Sequence, residues 1–139
     1  MNTKIQKYLN QFKSSSFSEL LFSYIDSSGL TDAEVYKKVF IDRKLFSKIR
    51  CNQNYIPKKE NIIKLGLSLS LNKEKMNKLL SSAGYSLSTT NDFDLIISFC
   101  IENNIYDITV VNDYLYTFGS TILNWWCFFV AQKETIKYI

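Results

Sequence analysis

Four glycines and a single proline punctuate 139 residues. Strand-rich folds need a turn residue every few positions, so this scarcity favours helices joined by short turns. Length and composition allow one globular domain with a real core: 46% of residues are hydrophobic and 15% aromatic. The fold class expected is therefore all-α.

The spacing of apolar residues supports helices along the chain. Ile5, Tyr8, Leu9 and Phe12 recur at three and four residues, which predicts a leading helix within residues 1–16. The serines at 14 to 16 interrupt it. Phe17, Leu20, Leu21, Tyr24 and Ile25 predict a second helix, ended by Gly29 in the left-handed position. Thr31 followed by Glu34 has the form of a capping box, with Val35 and Val39 buried behind it. Val39-Phe40-Ile41 reads as a turn, and Asp42 as the cap of a helix over Arg43 to Arg50 in which Phe46 and Ile49 point inward. Pro57 suits a first helical position, before an apolar helix with Ile62, Ile63, Leu65, Leu67 and Leu69. Asn72 caps the next, with Met76, Leu79 and Leu80 in the core, and Ala83-Gly84 ends it.

Two more helices are expected beyond residue 84. Asp92 to Asn103 presents Phe93, Ile96, Ile97, Cys100 and Ile101, and a helix from Asp107 presents Val110, Val111, Tyr114, Leu115 and Phe118. They are expected to pack on the helices that begin near Pro57 and Asn72, or to form a small extension. The tail from Thr121 to Ile139 is densely apolar from Ile122 to Ala131, interrupted by Asn124. It is too short to span a bilayer. A packed last helix, a dimer contact and a membrane-surface contact stay open for it. The division expected is a leading helix at 1–16, a main domain at 17–84 and a helical extension at 85–139.

Charge is unevenly placed. Between Tyr36 and Lys59 lie eight bases and one acid, a net +7 in a chain of net +4. The bases are Lys37, Lys38, Arg43, Lys44, Lys48, Arg50, Lys58 and Lys59, and the acid is Asp42. From Ser81 to Gln132 there is no Lys or Arg, while Asp92, Asp94, Glu102, Asp107 and Asp113 are acidic. A concentrated basic stretch suits a phosphate-rich ligand, although a solvated face has the same composition.

Several chemistries lack their residues. There is no histidine, so no imidazole base for a nucleophilic triad, and no CxxC pair for a structural zinc site. No glycine-rich phosphate loop is present, and Asp92 with Asp94 reads as a helix start. Neither an enzyme nor a cofactor is expected. Cys51, Cys100 and Cys127 are odd in number and far apart, which together with the lack of a secretory signal points to a reduced cytoplasmic setting.

A short helix from Thr31, a tight turn and a second helix from Asp42 form a helix-turn-helix pattern. In that motif the second helix enters the major groove, and its exposed face here is Arg43, Lys44, Ser47 and Lys48. Leu45, if exposed, could touch a thymine methyl or a protein; otherwise it is packed. The stretch from Thr31 to Arg50, with Pro57 and the helix over Leu65 to Leu71, resembles the lambda repressor-like (XRE, or Cro-type) helix-turn-helix family. The run IDRKLFSKIR is similar to a group of small bacterial helix-turn-helix proteins that also carry the AGYSL and FDLIISF pieces at Ala83–Leu87 and Phe93–Phe99. The resemblance spans about residues 17 to 120. It implies a five-helix DNA-binding domain with additional C-terminal helices, acting as a transcriptional regulator on double-stranded DNA. It further implies base contacts by Arg43, Lys44 and Lys48, and phosphate contacts by Asn52, Tyr55 and Lys58. Asp32 departs from the pattern, because that helix start usually offers a neutral polar group to a phosphate. The acidic second half and the apolar tail keep a second expectation open, a protein-interaction module in a bacterial or phage setting. A homodimer through the C-terminal helices is a further expectation, and no membrane partner is expected.

Overall fold

A computed structural model describes residues 2–13 and 15–123 of the chain. Among them the fold is all-α: eight helices and no strand. These are α1 (Asn2–Phe12), α2 (Phe17–Ser28), α3 (Asp32–Lys38), α4 (Arg43–Cys51), α5 (Lys59–Ser68), α6 (Lys73–Ser82), α7 (Asp92–Glu102) and α8 (Ile108–Thr117). None is long and apolar enough to cross a membrane.

Local chemistry sets most helix starts. Ser16, Thr31, Asp42, Asn72, Asn91 and Asp107 each accept a hydrogen bond from an amide of the following first turn. The capping box is a variant: Thr31 Oγ1 accepts from the Glu34 amide and donates to the Glu34 carboxylate. The helix after Pro57 begins later than expected. Lys58 is its N-cap and Pro57 is buried one position outside. Buried Pro57 and Ile62 occupy the two positions of a hydrophobic staple, a use of proline that its fixed φ permits equally well.

Helix ends share one device. In α3, α5, α6, α7 and α8 the amide two residues past the C-cap reaches back to the carbonyl five before it, through a residue of positive φ. Those residues are Phe40, Ser70, Gly84, Asn104 and Gly119, so three of the five turns place a side chain where glycine is favoured.

The core is built on α5, which packs against α3 and α6, while α2 also lies on α6. Ile62, Ile63, Leu65 and Leu67 of α5 are fully buried with Leu21, Val35, Ile49, Met76, Leu79 and Leu80. Ser68 Oγ donates to the Val35 carbonyl at 2.6 Å, tying α5 to α3. Helix α7 rests on α6, and α8 on α7.

The face expected for α8 needs correction. Val111 and Leu115 are buried with Ile108 and Asn112, whereas Val110 is exposed and Phe118 is 67% exposed. Helix α8 lies chiefly on α7, which covers only part of its apolar circumference. Of the tail, Ile122 and Leu123 are buried, and the Leu123 amide donates to Asn112 Oδ1 at 2.8 Å. Residues 124–139, on which the packing, dimer and membrane-surface readings mainly fall, lie outside the described residues.

Candidate nucleic-acid interface

Helices α3 and α4 are joined by Val39, Phe40, Ile41 and Asp42. Val39 and Ile41 are buried, Phe40 is exposed at φ 58°, and the Ile41 amide closes the turn on the Tyr36 carbonyl at 2.9 Å. Asp42 then caps α4 through the Lys44 amide at 3.3 Å. Helix α4 is therefore held at its first residue by a turn whose two apolar ends are anchored in the core.

Its inner face is aromatic. Phe46 lies edge-on to Phe22 at 6.0 Å and tilted against Tyr36 at 5.2 Å, and Ile49 is fully buried. Leu45 is half-buried and packs against this core. Arg43, Lys44, Ser47 and Lys48 are all exposed. At 3.6 residues per turn they share an arc of roughly 140°. No acid lies within that arc, and the three cations have no ion pair among the described residues.

Two of the eight bases in the Tyr36–Lys59 stretch are committed elsewhere. Arg50 pairs with Asp32 at 2.7 Å and lies 4.0 Å over the Phe22 ring. Asp32, in the first turn of α3, is thereby matched by a cation from the end of α4. Lys59 pairs with Asp94 of α7 at 2.8 Å, where the Asp94 carboxylate is only 2% exposed and also accepts from the Ser88 amide. Asp94 is thus a buried ionic anchor as well as a first-turn acid. Lys37, Lys38, Arg43, Lys44, Lys48 and Lys58 are left exposed and without an ion pair among the described residues.

The segment after α4 supplies donors. The Asn52 amide N–H bonds Lys48 O at 3.1 Å, and Asn52 Oδ1 accepts from the Asn54 amide at 3.0 Å. That turn occupies the side-chain oxygen, and the Nδ2 group is a donor. Tyr55 is half-buried, with its amide on Asn52 O at 3.1 Å. Among α2 to α8, α5 alone has no side-chain cap hydrogen bond. Its opening amides stand beside exposed Lys58, an arrangement that favours an anion. Sequence reasoning placed Lys58 here but missed the uncapped terminus; a lysine where Ser, Thr, Asp or Asn is usual was the available signal.

Lys64 and Cys100 show what burial does elsewhere in the fold. Desolvation pushes the Lys64 ammonium below its usual range, partly offset by Glu60 one turn earlier. Burial raises the Cys100 thiol to about 11, and Cys51 on α4 is exposed. Among the described residues no cluster of acidic or thiol side chains could hold a metal ion.

Comparison of the chain with protein-family models, with curated proteins and with solved structures returned no match.

Proposed function

We propose that this chain is a helix-turn-helix DNA-binding protein of the lambda repressor-like kind, acting as a sequence-specific transcriptional regulator. The observation that carries the reading is the outward face of α4. Arg43, Lys44, Ser47 and Lys48 lie on it with no neutralising acid, while Phe46 and Ile49 brace the same helix in the core. Arginine and lysine at the start of such a helix suit the acceptor edge of guanine. Lys58 and the uncapped amides of α5 suit a backbone phosphate, and Asn52 and Tyr55 lie in the turn between. Lys37 and Lys38, at the end of α3, add to the same charge.

Selection of bound duplexes from a random pool at about physiological salt tests this directly. Enrichment of a motif that Arg43→Ala relaxes is the expected result. Recovery of unenriched sequence, or of nothing, would overturn it.

A protein-interaction module is the second reading, and one observation favours it. Leu95, Phe99 and Phe118 expose a contiguous apolar surface on α7 and α8, more than scattered surface leucines would give.

A further inference from the structure

Among the described residues, helix α1 and the α7–α8 groove both expose apolar surface, α1 beside lysines and the groove beside Asp92. Every residue of α1 is exposed, and Ile5, Tyr8, Leu9 and Phe12 form one apolar stripe in which the Tyr8 and Phe12 rings lie tilted with centroids 4.6 Å apart. Its segment carries Lys4, Lys7 and Lys13, and no acid precedes Glu19. An eleven-residue helix that buries none of its residues is marginal in water, so a cover for this stripe would stabilise it. The groove holds about 420 Å³ and is lined by Asp92, Leu95, Ile96, Phe99, Tyr114 and Phe118. No α1 residue of the same chain lies among those lining residues. Asp92, Asp107 and Asp113 are exposed and have no ion pair among the described residues, whereas Asp94 and Glu102 of α7 are paired with Lys59 and Lys73.

We infer that α1 of one copy docks in the α7–α8 groove of a second copy, forming a dimer by reciprocal exchange of α1. Four apolar side chains at helical spacing meet an apolar groove, and a cationic helix meets a groove with Asp92 in its wall and unpaired Asp107 and Asp113 at the start of and on α8. The inference is independent of what α4 binds.

The test is the mass of the full chain in solution, by light scattering or sedimentation, for wild type and two variants. Leu9→Asp spoils the stripe and Phe99→Lys spoils the groove; both positions are exposed, so the fold should be kept. The expected result is twice the 16.2 kDa chain mass for wild type and a monomer for each variant. An equimolar mixture of the two variants should regain a dimer, because one intact stripe then meets one intact groove. Ile5→Lys and Leu95→Lys repeat the test if either first variant melts early. A monomeric wild type would overturn the inference, as when residues 124–139 or the chain's own α1 fill the groove. A dimer indifferent to both substitutions, or a mixture that stays monomeric, would also overturn it.

Discussion

Removing the Lys59 ammonium should destabilise this fold far more than removing the Arg50 guanidinium, although both pairs are equally short. Asp94 sits at the start of α7 with its carboxylate 2% exposed, and both oxygens lie 2.8 Å from Lys59 Nζ. In Lys59→Ala that charge stays buried with the Ser88 amide still bound to it but no cation. Breaking a buried pair in this way costs about 3–5 kcal/mol. Lys59 is itself 23% exposed, so water can replace part of the loss, and about 3 kcal/mol is expected. In a chain of this size that lowers the melting temperature by roughly 10 °C. The Arg50–Asp32 pair is 50% and 38% exposed, so its Coulomb gain is screened and worth about 1 kcal/mol or less, and the contact over Phe22 adds about 0.5–1 kcal/mol, together still below the loss at Lys59. Urea denaturation followed by circular dichroism separates the two. Replacing the pair by Lys59→Met with Asp94→Leu should recover most of the loss, because the uncompensated charge is then gone. A Lys59→Ala variant as stable as Arg50→Ala would refute the reasoning.

Ser70 is exposed at φ 52° in the turn that ends α5, so Ser70→Gly relieves left-handed strain and should stabilise by about 0.5–1 kcal/mol in the same denaturation assay. Lys64 has its folded pKa below its unfolded value of 10.5, so the unfolded chain binds the proton more tightly. Stability should therefore rise with pH over the alkaline window below 10.5, and Lys64→Met should abolish that rise. Cys100, its thiol raised to about 11, should resist thiol reagents at neutral pH until the chain unfolds, while exposed Cys51 reacts at once; mass spectrometry of labelled peptides distinguishes them.

Helix starts were the most legible part of the fold, because a cap is a contact between residues two or three apart. Thr31, Asp42, Asn72 and Asp107 could each be read from the residue and the pattern after it. The buried side of α4 followed from Phe46 and Ile49 at a spacing of three. What failed was long-range. Lys59 and Asp94 are 35 residues apart, and Arg50 and Asp32 are 18 apart. Composition alone placed Lys59 and Arg50 with the free bases. The reading of Phe118 as buried failed for a related reason: periodicity shows how wide an apolar face is, not how much of it a neighbour covers. The left-handed Phe40 was hidden because nothing in the residue type marks that conformation.

The salt dependence of duplex binding tests the central claim, that the α4 cations meet a phosphate-rich groove, most directly. Six cations without an ion pair among the described residues flank the proposed contact, and if four to six neutralise phosphates the log–log slope should be about −4 to −5. Lys58→Ala should reduce that slope by about 1 while leaving any sequence preference intact. Arg43→Ala should instead erase preference for the selected site. A flat salt dependence, or an affinity that neither substitution changes, would contradict a DNA-reading role for this helix.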